Sequence, residues 1–222
     1  MLQKATLRFL LDIKENNNKP WMDANRAAFI DAKNDFENLV SGLLSEFGNK
    51  EKDIAHLTAK ECTFRQNRDI RFSKDKSPYK INMGAYINRG GKKTNTAGYY
   101  FHLEPGNKSF VGGGLWMPEA PALKKVRQEI DYCYNEFTKI ISTKAFKENY
   151  GDLNTKEHSL SREPKGYEKD NPAIKYLKLK SFVALRPVSD NELTSPGLIK
   201  ITLQAFTALQ PLIHFLNRSI DE

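Results

Sequence analysis

Residues 65–80 read RQNRDIRFSKDKSPYK, and the predicted sheet begins in and around this stretch. The stretch contains three arginines, three lysines and two aspartates. From about Cys62 the apolar residues fall on alternate positions, with Phe64, Ile70 and Phe72 sharing one parity. This alternation is typical of a β-strand with one buried face. The sequence therefore predicts a strand over residues 64–72.

Further alternating segments follow this strand along the chain. They cover residues 81–87, 99–103 and 109–116, and short turns rich in Gly, Asn and Pro separate them. Successive strands with short turns favour an antiparallel meander. A later strand is predicted over residues 179–188.

Helical periodicity flanks the strands on both sides. Apolar residues recur at spacings of three and four in segments that predict helices over residues 6–15, 23–47, 117–140 and from 198 onward. The predicted fold class is α+β, with a mainly antiparallel sheet of about four meander strands and one later strand, covered by amphipathic helices. We expect a single domain over residues 1–222.

The composition is that of an ordinary globular protein. The 222 residues are 39% hydrophobic and 28% charged, without a run of about 18 apolar residues that could span a bilayer. Two cysteines are too few for a disulfide framework, which favours a reducing, cytoplasmic location. Cys133 falls on an apolar helix stripe and is interpreted as a buried small hydrophobe. The four histidines lack metal-ligand spacing, so the sequence predicts no metal site. It also predicts no cofactor and, without an apolar span, no membrane partner.

The positive charge of the chain is concentrated in one window. Residues 60–93 contain ten basic and three acidic residues and therefore carry +7, while the whole chain carries +8. A concentrated positive field attracts anions and raises their local concentration. This distribution favours an anionic partner.

Alternation predicts which side chains of the first strand share a face. Arg65, Asp69 and Arg71 would lie opposite the apolar side, with Asp69 holding two guanidinium groups as an anion clamp. Arg68 falls out of phase on the apolar side. A buried unpaired arginine is costly, so we expect Arg68 to have a carboxylate or several carbonyl partners.

The loop after this strand is stiffened by Pro78, which favours an extended approach to Tyr79. Such a loop could bring Lys76, Tyr79 and Lys80 over the arginine clamp. Lys74, Lys92 and Lys93 are interpreted as solvated loop charges. The candidate anion-binding residues are Arg65, Arg68, Asp69, Arg71, Asp75, Lys76, Tyr79 and Lys80.

The same residues carry a resemblance to a known family. Residues 65–79 fit the pattern Arg-x-x-Arg-Asp-x-Arg-Phe-x-x-x-Asp-Lys-x-x-Tyr. This pattern resembles the signature of an uncharacterised bacterial family catalogued as a domain of unknown function. Further similarity lies in Asn16-Asn17 before Trp21, in residues 113–118 and in residues 164–167. The family has no assigned activity, so the resemblance indicates common descent and implies no particular reaction.

Three hypotheses for function remain open at this point. The first is a binding site for a small phosphate- or carboxylate-bearing ligand, with Tyr79 or Asp69 as the evident proton-transfer groups if a reaction is catalysed. The second is nucleic-acid binding, with Tyr86, Tyr99 or Tyr100 stacking on bases. The third is a non-enzymatic interaction module in which the Arg–Asp motif is architectural.

Two other features have open interpretations. His102 follows Tyr100 on a predicted strand, where it is either a structural histidine or a proton shuttle. Gly112, Gly113 and Gly114 predict either a bend in the sheet or the close approach of a ligand or another backbone.

Overall fold

A computed structural model describes residues 1–155 and 158–221. The α+β fold class is confirmed. Helices α1–α10 comprise Lys4–Glu15, Lys19–Ala24, Arg26–Phe47, Ala59–Cys62, Ala120–Tyr132, Tyr134–Ile141, Lys144–Tyr150, Ile174–Leu177, Asp190–Leu193 and Leu198–Asp221. Short 3-10 turns occur at Lys52–Ile54 and Gly91–Lys93.

Four strands form one antiparallel sheet in the order β1-β2-β3-β4. They comprise Met83–Ile87, Gly98–Leu103, Ser109–Leu115 and Phe182–Val188. The first three are consecutive in the chain, as the short turns predict, and β4 is the later strand. Among residues 1–155 and 158–221 the sheet has four strands, one fewer than predicted, because residues 64–72 do not form a strand.

The chain divides into two compact units, each built from several segments. Unit 1 comprises Met1–Lys93, Tyr100–Val111 and Pro187–Leu203, and unit 2 comprises the remaining described residues. The boundaries fall within β2, β3, β4 and α10. The expectation of a single domain over residues 1–222 stays a prediction.

Unit 1 packs an aromatic side chain of α3 onto β2. Phe36 of α3 lies edge-on to Phe101 of β2, with ring centroids 5.9 Å apart. Both side chains are at most 2% exposed. Their positions follow from the helical period in α3 and from the alternation in β2.

Unit 2 has its own aromatic contacts. Tyr99 of β2 packs on Phe206 of α10 at 5.0 Å, and Phe137 of α6 packs on Phe215 at 5.6 Å. All four rings are buried. The described residues between 152 and 176 also belong to this unit, and Lys156 and Glu157 lie outside the described residues.

Two predicted helices are divided in the structure. The helix expected over residues 23–47 begins earlier and breaks at Asn25, whose side chain donates to the carbonyl of Trp21 at 2.9 Å. The helix expected over 117–140 breaks at Cys133, which ends α5 and begins α6. Cys133 is half-buried, so the interpretation of this residue as buried was wrong.

In the part of the chain that the structure describes, no helix combines the length and the apolar character that a bilayer crossing requires. The longest helix, α10, contains Pro211 in its interior.

Candidate functional site

We call residues 64–80 the basic ribbon, because they leave the edge of the sheet and return to it as two loosely paired arms. At its base the Phe64 N–H donates to the Gly84 carbonyl of β1 at 3.0 Å. Further out, the Arg68 N–H donates to the Pro78 carbonyl at 2.9 Å. Isolated bridges pair Thr63 with Ala85 and Asn67 with Tyr79. The ribbon is therefore anchored at its base without forming a regular strand.

The predicted strand ends early because aspartate side chains compete for the backbone. The Asp69 carboxylate accepts from the backbone N–H of Arg71, and the Asp75 carboxylate accepts from the N–H of Ser77. Such local bonds turn the chain and replace ladder pairing. Phe72, which the alternation assigned to the apolar side, is 96% exposed at this turn. The strand prediction over residues 64–72 was wrong for this reason.

Two ion pairs hold the turn. Arg71 forms a forked pair with Asp69, through Nε at 2.9 Å and Nη2 at 2.6 Å. Arg68 pairs with Asp75, which supplies the carboxylate partner that its out-of-phase position required. Arg68 is half-buried and is not in an apolar environment.

The ionised forms of the Asp69 and Asp75 carboxylates are favoured over their protonated forms. Hydrogen bonds from the Arg71 guanidinium and N–H lower the pKa of Asp69. Those from the Ser77 hydroxyl and N–H, together with Arg68, hold the pKa of Asp75 well below its ordinary range. Both carboxylates are consequently ionised at neutral pH.

Arg65 differs from the expected clamp. It forms no hydrogen bond or ion pair with any described residue, and it is exposed. Asp69 forms its direct ion pair with Arg71, whereas the alternation predicted that it would hold two guanidinium groups. The charge of Arg65 acts on Asp69 without a hydrogen bond and contributes to its lowered pKa.

The cations of the ribbon are not equivalent. Lys76 donates to the carbonyl of Ile70 at 3.0 Å and so helps to close the turn. Lys80 is half-buried, and its ammonium lies 5.2 Å from the centroid of the Phe64 ring. Burial lowers the pKa of Lys80, and the nearby charge of Arg65 lowers it further. Arg65 and Lys80 thus form a pair of mutually repelling cations.

Tyr79 differs from these cations because its side chain is buried, with 9% of its surface exposed. Its backbone is held by Asn17, whose amide donates to the Tyr79 carbonyl at 2.9 Å and accepts from its N–H at 3.0 Å. The asparagine thereby imitates a neighbouring strand. Sequence reasoning noted Asn17 only as part of the family resemblance and missed this contact, which joins residues 62 positions apart.

A polar row on β2 is a second feature of unit 1. The Tyr100 hydroxyl lies 3.3 Å from His102 Nδ1, and His102 Nε2 lies 3.2 Å from Glu104. The His102 ring also stacks on Phe110 at 4.6 Å. Glu104 was missed in the sequence, although its alternation with Tyr100 and His102 was the available signal. Both ring nitrogens of His102 therefore have a hydrogen-bond partner within the chain.

The base of the ribbon is closed by a lysine that the sequence assigned to solvent. Lys92 donates to the carbonyls of Lys60 and Thr63 at 2.6 Å each. These carbonyls belong to the C-terminal end of α4, which a cation stabilises. The interpretation of Lys92 as a solvated charge was wrong, whereas Lys93 is exposed.

Of the tyrosines considered for base stacking, Tyr99 is 1% exposed and packed in the core. Tyr86 and Tyr100 are half-buried. Among the described residues there is no group of three or more His, Cys, Asp and Glu side chains that could hold a metal ion.

Cys62, at the end of α4, is fully buried, and burial raises the pKa of its thiol to about 11. Since the thiolate is the reactive form, we expect Cys62 to resist modification in the native protein. In a Cys133→Ser variant, Ellman's reagent at pH 8 should react with Cys62 at least about 100-fold more slowly than in denaturant. Equal rates in the two conditions would contradict this burial.

Comparison with known proteins places the chain in a family. A family model described as a conserved hypothetical protein (DUF2461) matches residues 5–215. No curated protein and no solved structure matches the chain. The match covers nearly the whole sequence, so the chain belongs to the DUF2461 family of conserved hypothetical proteins.

Proposed function

We propose that the protein binds a phosphate- or carboxylate-bearing ligand at the basic ribbon. The observation that carries the proposal is the pair formed by Arg65 and Lys80. Neither forms an ion pair or a hydrogen bond with an acidic side chain among the described residues, although the charge of Arg65 also acts on Asp69. The proximity of Arg65 lowers the pKa of Lys80. A bound anion would relieve this repulsion.

The chemistry of the two cations favours a phosphate group over a single carboxylate. Arg65 offers a planar fork of N–H donors that matches two phosphate oxygens, and Lys80 offers a compact point charge. Two positive centres balance the charge of a dianion. Partial burial of Lys80 strengthens its interaction with the ligand, because the surrounding dielectric is lower than that of water.

The remaining arginines would have a supporting role. A guanidinium carries five N–H donors, and the pair with Asp69 uses two donor nitrogens of Arg71. Arg71 can therefore bind an anion while it remains fixed by its carboxylate. This dual role combines the architectural and ligand-binding interpretations of the motif.

The proposal predicts that Arg65→Ala weakens anion binding without a large loss of stability. Arg65 makes no hydrogen bond with the described residues, so its removal leaves no unpaired group behind. Losing a charge-assisted hydrogen bond typically costs about 1.5–3 kcal/mol, hence roughly tenfold or more in affinity. Calorimetric titration with inorganic phosphate and pyrophosphate measures the effect, and thermal unfolding checks stability.

Lys144→Ala is the matched control, because Lys144 is an exposed lysine of α7 in unit 2. It should bind the anions as the unmodified protein does. The proposal fails if neither anion is bound, or if Arg65→Ala and Lys144→Ala have the same affinity.

A further inference from the structure

Two exposed phenylalanines lie on the basic ribbon. Phe72 is 96% exposed at the turn, and Phe64 is 41% exposed near the base. No other part of the described chain covers the exposed surface of either ring. Both rings are thus accessible to a partner.

Each of these rings is accompanied by a cation. The Arg71 guanidinium lies 5.8 Å from the Phe72 ring centroid, and the Lys80 ammonium lies 5.2 Å from that of Phe64. The ribbon therefore repeats one arrangement twice, an exposed aromatic ring with a positive charge over one of its faces. A nucleotide presents the complementary arrangement, a flat base beside a phosphate.

We propose that the ligand is a single-stranded nucleic acid, with Phe72 and Phe64 stacking on bases and the neighbouring cations binding phosphates. This inference rests on the proposed function, since the same cations hold the anion. A polymer of repeating nucleotides can offer a base and a phosphate to each of the two ring–cation pairs.

Other polyanionic surfaces fit less well. A duplex keeps its base faces stacked inside, so an exposed ring has no face to stack on without unstacking a step. An anionic membrane attracts basic segments, but stable attachment requires a larger apolar surface than one phenylalanine at the turn.

Fluorescence anisotropy with labelled oligothymidylate and oligouridylate of about 16 nucleotides tests the inference. We expect Phe72→Ala to weaken binding by about 5- to 100-fold, the range for removal of one stacked base. Phe72→Trp should retain or strengthen binding, because tryptophan also stacks. Tyr132→Ala is the control, because Tyr132 is 77% exposed but lies outside the ribbon.

Arg65→Ala should reduce the dependence of log affinity on log salt by roughly 0.7, the value for one phosphate contact with a single strand. Phe72→Ala should leave this slope unchanged while lowering affinity. If Phe72→Ala instead reduced the salt dependence of log affinity, its effect would be on phosphate contacts and not on stacking.

Competition with other anions separates failure of this inference from failure of the proposed function. If inorganic polyphosphate binds as tightly as the oligonucleotides and Phe72→Ala has no effect, the single-strand assignment is overturned and phosphate binding stands. Tighter binding to duplex, or to vesicles of anionic phospholipid, also overturns it. If the protein binds neither phosphate, polyphosphate nor oligonucleotide, both proposals fail.

Discussion

Gly114→Ala is expected to destabilise the protein severely, by an amount on the order of 4 kcal/mol. Gly114 lies in β3 with φ of +126°, a conformation that side-chain-bearing residues rarely adopt. A β-carbon there would lie 1.9 Å from the Phe182 carbonyl oxygen of β4. Strands β3 and β4 would have to separate locally, because a backbone oxygen cannot move aside alone.

Thermal unfolding followed by circular dichroism measures this effect. For a chain of this length, the expected loss corresponds to a fall in Tm of roughly 8–16 °C. Gly106→Ala is the matched control, since Gly106 also has positive φ, +88°, but no atom lies within 4 Å of the position of a β-carbon. It should cost only about 1 kcal/mol, the price of the backbone conformation. Similar Tm values for the two variants would contradict the close approach of β3 and β4.

Asn17→Ala is expected to destabilise the protein by about 2–4 kcal/mol and to loosen the basic ribbon. The side chain of Asn17 makes two hydrogen bonds, to the N–H and the carbonyl of Tyr79. Alanine would leave both groups without this partner beside a buried ring. We therefore expect weaker phosphate binding as well, because Tyr79 precedes Lys80 directly.

Chemical denaturation and amide hydrogen exchange test this prediction together. The Tyr79 amide should exchange faster in Asn17→Ala than in the unmodified protein. Asn16→Ala is the control, because the Asn16 side chain makes an exposed bond to the Asp12 carbonyl. Its effect should stay within about 0.5 kcal/mol, as for most surface substitutions. Equal exchange of the Tyr79 amide in the two variants would contradict the role of Asn17.

Periodicity predicted many elements of the fold correctly. The helix expected over residues 6–15 is α1, and the alternation of residues 99–103 is β2. These predictions succeed because the period of two or 3.6 residues reports which side chains face the core. The Gly112–Gly114 run also predicted close approach or a bend, and the structure assigns the close approach to neighbouring backbone.

The same reasoning failed where side chains bond to the backbone. Residues 64–72 alternate like a strand, yet Asp69 and Asp75 turn the chain through local hydrogen bonds. Lys92 gave no sequence signal for its bonds to the carbonyls of α4, since a lysine in a glycine-bearing loop is typical of solvent. Apolar periodicity contains no information about such contacts.

By itself, the sequence determined most of the helices and strands, the α+β class and the concentration of positive charge in residues 60–93. Those properties depend on residue types and on spacings within one turn or one strand. Only the tertiary structure decided that Asn17 holds Tyr79, that Arg68 pairs with Asp75 and that Phe72 is exposed. The physical reason is twofold. Asn17 and Tyr79 are 62 positions apart and meet only when the chain has folded, whereas the turn around Phe72 depends on bonds between side chains and backbone that apolar periodicity does not report.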